Sequence, residues 1–296
     1  GNLWLLVGPL LLLALVSMSV GKYAGPAEIA GALRAALSGQ PSDPVLSTVL
    51  WNVRLPRVAG AMLIGAALAA AGATYQGLFR NPLVSPDILG VSGGASLGAV
   101  IGIFLSLPVL AIQTISFAGG LLAVAAVYAV GLAIRGRDPA LTLVLAGIAI
   151  GALVGAGISL IKILADPYDQ LPAITYWLLG SLTAITRLDI VSILPALLIG
   201  LVPLMLFRWR MNLMTLGDEE AQTLGVDTRM TRALLIAAAT LITAAAVSVS
   251  GVIGWIGLVI PHIARMLVGP DFRRREVRPD RQRGISFYGR GYRELS

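Results

Sequence analysis

Three side chains in this chain have the type and setting for covalent chemistry: Ser92, Ser96 and His262. Gly90-Val91-Ser92-Gly93 imitates the GxSG of intramembrane serine proteases, and Gly94-Ala95-Ser96-Leu97-Gly98 imitates a nucleophile elbow. His262, the single histidine, is the candidate general base. A hydrolase elbow needs a strand-turn-helix setting, which the surrounding sequence does not offer. Nor does anything in the sequence bring His262, which follows Pro261 in the last apolar run, to Ser92. Glycine and serine clustered within helices serve mainly packing, so an intramembrane serine protease stands as a remote alternative. With no cysteine, disulfides and thiolate metal sites are ruled out. HExxH, metal-spaced acid clusters and Walker A stretches are also missing.

Energy coupling has its own residue requirements. Ion-driven carriers place ionisable groups near mid-span. Here Lys162, Asp87 and Asp189 are expected at span ends, and His262 in the inner half of the last span. An ion-coupled secondary transporter, the alternative reading, lacks its usual parts. The most informative polar feature is instead Gly217-Asp218-Glu219-Glu220-Ala221-Gln222-Thr223-Leu224-Gly225-Val226. Three acids open it, as a helix N-terminus favours, and Gly225 closes it where a C-terminal glycine belongs. Leu213, Leu216, Ala221 and Leu224 keep an apolar face at roughly helical spacing. Two readings fit: a docking helix for a soluble partner, or a solvated connecting loop.

The elements that must carry these residues are apolar. Only 12% of residues are charged, about half the share of a soluble domain, which is ~25%, and mean hydropathy is +0.85. Candidate spans are Leu3–Val20, Val58–Gly77, Ile88–Leu107, Thr114–Ile134, Ala140–Ile163, Leu188–Phe207, Ala233–Ser250 and Val252–Val268. Each approaches the length needed to cross hydrocarbon, and their continuity excludes a β-barrel. Eight crossings put both termini on one side. With that side inside, inner loops hold eight basic residues and outer loops six, and the arginine-rich tail adds to the inner count. Trp4, Trp51, Trp177, Trp209 and Trp255 fall near span ends, as an aromatic belt does. The first apolar run lacks a basic leader and a clear cleavage site, and reads as a span. The net charge of +7 reflects this inner-face topology and not nucleic-acid binding.

Gly94, Gly98 and Gly102 stand four apart, as do Gly147, Gly151 and Gly155, predicting close helix packing on two spans. Gly251, Gly254 and Gly257 predict a bend. Gly21–Leu50 is expected to form an amphipathic helix plus loop, and Asp166–Ser181 a short interfacial segment. No internal repeat is evident. Arg54 and Arg57 stand at the outer mouth of the second span. They suit carboxylates on an approaching protein or lipid phosphates, and spacing leaves both open.

Four blocks, RLPR (54–57), QGLFRNPLVSPDILGVSGGASLG (76–98), GDEEAQTLGV (217–226) and GVIGWIGLVIPHIARMLVGPDFR (251–273), together resemble the FecCD-type permeases. These are the membrane subunits of ABC importers for iron-siderophore chelates, haem, vitamin B12 and, in some members, molybdate. ITYWLLGSL (174–182) is similar to the family's outer short helix. The resemblance implies an all-α polytopic bundle in the bacterial inner membrane, with both termini cytoplasmic. Residues 1–270 would form the transmembrane domain, with a coupling segment at 213–229, and 271–296 a basic polar tail. It further implies a homodimer, two cytoplasmic ATPase subunits and a periplasmic substrate-binding protein. The chain itself would bind no cofactor and catalyse no reaction; ATP and magnesium would belong to the partner ATPase. Asp218, Glu219, Glu220, Ala221, Leu224 and Gly225 would form the coupling helix. Arg54 and Arg57 would meet acids of the binding protein. Asn81, Pro82, Pro86 and Gly90 would shape an inner loop, with Pro139, Ala140 and Leu141 near the inner gate. The family continues past a segment like Gly269–Arg274 with two further crossings where this chain has its arginine-rich tail, so a truncated or frame-shifted end is expected.

Overall fold

The computed structural model describes residues 3–21, 23–38, 43–134, 139–254 and 256–268; Trp255 and the tail from residue 269 lie outside the described residues. Its elements are α1 (Leu3–Ser19), α2 (Pro26–Leu37), α3 (Pro44–Thr48), α4 (Leu55–Leu78), α5 (Val91–Phe104), α6 (Val109–Ala133), α7 (Pro139–Leu164), α8 (Gln170–Leu179), α9 (Arg187–Leu206), α10 (Arg208–Met214), α11 (Asp218–Thr223), α12 (Thr228–Ser250) and α13 (Ile256–Val268). Among the described residues there is no strand, which meets the all-α expectation.

Among the described residues five helices have the length and apolarity to cross a membrane, and one of them is a continuous run from Pro44 to Leu78. A π-helical stretch, Val49–Arg54, joins α3 to α4 inside that run. Three of the expected crossings are shorter: α1 has 17 residues, α5 has 14 and α13 has 13. The third begins at Val91, not Ile88, because Pro86–Leu89 forms a 3-10 turn and Gly90 follows at φ +78. Proline lacks the amide a longer helix would need, and the left-handed φ interrupts helical continuation.

One helix, α12, forms the centre of the core. α12 is 72% buried over its apolar window, whereas α7 is 11% buried. Ala238, Ala239, Ala244, Ala245 and Ala246 keep α12 slim enough for α4, α6 and α9 to pack around it. Tyr75 of α4, wholly buried, shares a 3.0 Å hydrogen bond with Thr240 of α12. That contact satisfies a hydroxyl whose burial alone would be costly.

Glycines set the closest helix crossings. A Cβ on Gly94 would lie 2.4 Å from the Gly119 carbonyl oxygen, and one on Gly98 would lie 2.3 Å from that of Ile115. The first glycine series therefore packs α5 against α6 as expected. The second behaves differently: Gly147 meets the Ile88 carbonyl, but Gly151 and Gly155 have nothing within 4 Å. At Gly72 a Cβ would stand 1.8 Å from the carbonyl oxygen of Gly257, where α13 crosses α4. The bend after α12 is present, with Gly251 at φ +68 and the Ser181 amide donating to the Ser250 carbonyl at 2.7 Å.

Asp87 departs from its expected place. It lines a small cavity with Leu68, Ser92, Thr243 and Gly257. Leu68 lies ten residues before the end of α4, about 15 Å along a helix. The 79–90 connection therefore folds back into the bundle, where Asp87 keeps an exposed carboxylate at the edge of that cavity.

Candidate functional site

The acid-led segment is built to stay helical. Gly225, at φ +81, follows α11 in the left-handed conformation. Its amide donates to the Gln222 carbonyl at 2.9 Å, and the Val226 amide reaches back to Ala221 at 3.0 Å. This double bond pattern is the Schellman closure of a helix C-terminus. Val226 is buried, as is Ala221, which seats the motif on the bundle.

The three acids have separate fates. Asp218 accepts from one Nη of Arg232 on α12, at 2.7 and 2.9 Å. The guanidinium is nearly enclosed and the carboxylate partly so, so this pair anchors α11 to the core helix. Gln222 adds a 3.0 Å bond to Thr228, also on α12. Glu219 and Glu220 are exposed. Leu216 and Leu224 are exposed as well, giving a surface that mixes two carboxylates with two leucines.

The inner loop lies beside this segment. Asn81 accepts from the Leu83 amide at 2.9 Å, a side-chain turn that suits asparagine ahead of Pro82. Pro86 packs at the crossing of α4 and α13, its Cδ 3.0 Å from a Cβ built on Gly257. Arg80 adopts φ +51, and its Nη1 lies 3.5 Å from a Cβ built on Gly217. The loop and the acid-led segment thus share one end of the bundle. Gly147 brings α7 onto the 3-10 turn, eight residues from the start of the helix at Pro139. Ala140 is half-buried and Leu141 exposed near that start.

Arg54 and Arg57 lie at the other end of α4, a 24-residue helix about 36 Å long. Arg54 is buried. It donates to the Met18 carbonyl at 2.7 Å and to the Ala24 carbonyl at 2.9 Å, which binds α1 to the start of α4. This corrects the expectation that both guanidinium groups face an approaching surface. Arg57 is half-exposed, with one Nη donating to Thr183 at 3.0 Å. Sequence reasoning passed over Arg187, which grips the Trp51 carbonyl through Nε and Nη2 at 3.0 and 2.7 Å, and Arg232. Both reach partners too distant in sequence for any spacing rule to reveal.

The proteolytic reading loses its geometry. Ser92 is buried and donates to the Asp87 carboxylate, whereas His262 is exposed on α13. Among the described residues no group of three metal-binding side chains occurs.

Fold and site together define a multi-pass helical membrane protein with an acid-led helix tied to α12 at one end of its bundle. The FecCD transport family pattern matches residues 9–276, and the chain belongs to that family. It is 42% identical over 226 residues to the cobalamin import system permease protein BtuC of Halobacterium salinarum, covering 76% of this chain and 60% of that protein. Against the molybdate import system permease protein MolB of Haemophilus influenzae it is 37% identical, covering 88% of this chain and 78% of that one. The hemin transport system permease protein HmuU of Yersinia pestis is 41% identical over 76% of this chain and 68% of its own length. A solved inward-facing metal-chelate type ABC transporter matches with a TM-score of 0.81 and 34% identity, covering 92% of this chain and 82% of that chain.

Proposed function

We propose that this chain is the membrane-spanning permease subunit of an ATP-driven importer in the bacterial inner membrane. Its cargo is an iron chelate such as a siderophore or haem, or cobalamin, handed over by a periplasmic binding protein. Family membership supports this reading, as do relatives named for cobalamin and hemin; one named for molybdate widens the cargo class. No bond of the cargo is made or broken, and ATP and magnesium are handled by a partner ATPase on the cytoplasmic side, where both termini lie.

The observation that carries the proposal is the exposed pair Glu219 and Glu220 on a helix fixed to α12 by Asp218–Arg232. An exposed acid pair offers charge to a basic cleft of the ATPase, and Leu224 offers an apolar anchor. Gly225 closes the helix, and Asp218 and Ala221 face inward to hold it. Motion of the ATPase then passes to α12, the most enclosed helix, and through its neighbours to the pathway. Asn81, Pro82, Pro86, Gly90 and the Pro139–Leu141 start of α7 shape the inner gate. At the outer end Arg57 meets acidic residues of the binding protein, while Arg54 holds the platform beneath it.

α7 supplies the interface with a second permease copy. Leu145, Ile148, Leu153, Leu160 and Ile163 are exposed along it, beside the open Gly151 and Gly155. Small residues permit close helix approach in a membrane, and among the described residues nothing packs against these two.

Glu219→Lys with Glu220→Lys tests the coupling assignment. Co-purification of the partner ATPase should fall at least tenfold, while membrane insertion is unchanged. Equal recovery of the ATPase with the variant removes the assignment.

A further inference from the structure

Two residues with positive φ meet at the end of the bundle that carries α11. The first closes α4. Arg80 is at φ +51, its amide donates to the Gly77 carbonyl at 3.3 Å, and the Asn81 amide reaches back to the Gln76 carbonyl at 3.2 Å. The same kind of closure ends α11, but with arginine here where α11 uses Gly225. A left-handed conformation disfavours any L-residue, because its Cβ crowds the backbone. Strain kept at such a place points to a role for the side chain.

The second residue opens α11. Gly217, at φ +135, directly precedes the helix and is buried. The point that a Cβ would take there is already filled by the Glu220 carboxylate, and Arg80 Nη1 lies 3.5 Å from the same point. Glu220, in the first turn of α11, therefore folds back over Gly217 toward the inner loop. Opposite charges from two distant parts of the chain thus flank one glycine. Both Arg80 and Glu220 are exposed. Asp218, at the start of the same helix, is already held by Arg232.

We infer that Arg80 is a positioning residue whose pairing with Glu220 ties the 79–90 loop to α11. A push on α11 then reaches Asn81, Pro82 and Pro86 directly, and not only through α12. Exposed ion pairs contribute little in open water and more once covered, where the dielectric falls. A partner seated on α11 covers this pair, so the tie is weak in the free chain and firm beneath the partner. That last step rests on the coupling role proposed for α11; the pair itself does not.

Amide exchange on the full chain in lipid nanodiscs tests the pair without any partner. Arg80→Gln should speed exchange across 217–226, and Glu220→Gln across 79–90, each about two- to fivefold, as an exposed pair permits. Each effect falls in the segment that was not altered. The double variant should add nothing further, and Arg80→Glu with Glu220→Arg should restore both segments. Arg80→Gly relieves the left-handed strain, so it should not lower the melting temperature yet should still loosen 217–226. Changes confined to the altered segment, or a charge exchange no better than either single variant, overturn the pair. Recovery of the partner ATPase with Glu219→Lys and Glu220→Lys is read separately, so a failure there removes the coupling role and leaves the pair standing.

Discussion

At the scale of the residue, the determining positions are those where a single atom has no room. Gly72→Ala places a methyl group where the Gly257 carbonyl already is. The helices must separate, at a cost of about 1–3 kcal/mol or more. Gly65, on the same helix, has nothing within 4 Å of an added Cβ, so Gly65→Ala should be near neutral and serves as the control. Thermal unfolding in one detergent compares the two. A Gly72 variant as stable as the Gly65 variant contradicts the crossing. The arginines belong to this scale too. Arg54 was recognisable in the sequence as an unusual charge at a span mouth, but its burial against two carbonyls was not, because those carbonyls come from Met18 and Ala24.

At the scale of the element, α11 illustrates how a helix of six residues persists. An isolated peptide of that length does not hold helical structure in water. The Schellman closure, the buried Ala221 and Val226 and the ion pair to Arg232 supply what length does not. Arg232→Gln should therefore loosen α11 while leaving Glu219 and Glu220 chemically intact. Amide exchange across 217–226 should rise about tenfold, since a charged, partly buried hydrogen bond contributes roughly 1.5–3 kcal/mol. In a double-mutant cycle with Asp218→Asn the two losses should not add; full additivity means the pair does not couple. The amphipathic pattern and the terminal glycine were legible in the sequence. The partner on α12 was not, since its position depends on how the intervening turn folds back.

At the scale of the whole molecule, the described bundle has a well-enclosed core at α12 and an exposed apolar helix at α7. In a membrane the exposed helix faces lipid or another protein, and the open Gly151 and Gly155 favour protein. Because the chain has no cysteine, a single cysteine introduced at Gly151 or Leu153 reports proximity directly. Disulfide cross-linking in native membranes should give a species of twice the chain mass for these positions and none for Leu198, which is exposed on α9. Cross-linking through Leu198 with none through α7 redirects the interface. A cysteine at Gly225, in turn, should be labelled only from the cytoplasm; labelling from the outside would reverse the bundle and end the coupling assignment.

The sequence alone determined the membrane class, the helical fold, the five membrane-length helices α4, α6, α7, α9 and α12 within about five residues of their ends and the acid-led segment. Those features follow from local hydropathy, helix caps and glycine spacing, all of which depend on near neighbours. It also carried the resemblance to the FecCD family, because the four blocks are continuous stretches. Tertiary structure decided which glycine series is packed and which is open, that Asp87 borders a cavity beside Leu68 and Ser92, and that Arg54 turns inward. It also decided that Asp218 anchors while Glu219 and Glu220 remain exposed. Each of these depends on contacts between residues far apart in the chain, where the packing of slim helices, and not the spacing along any one of them, fixes which groups meet.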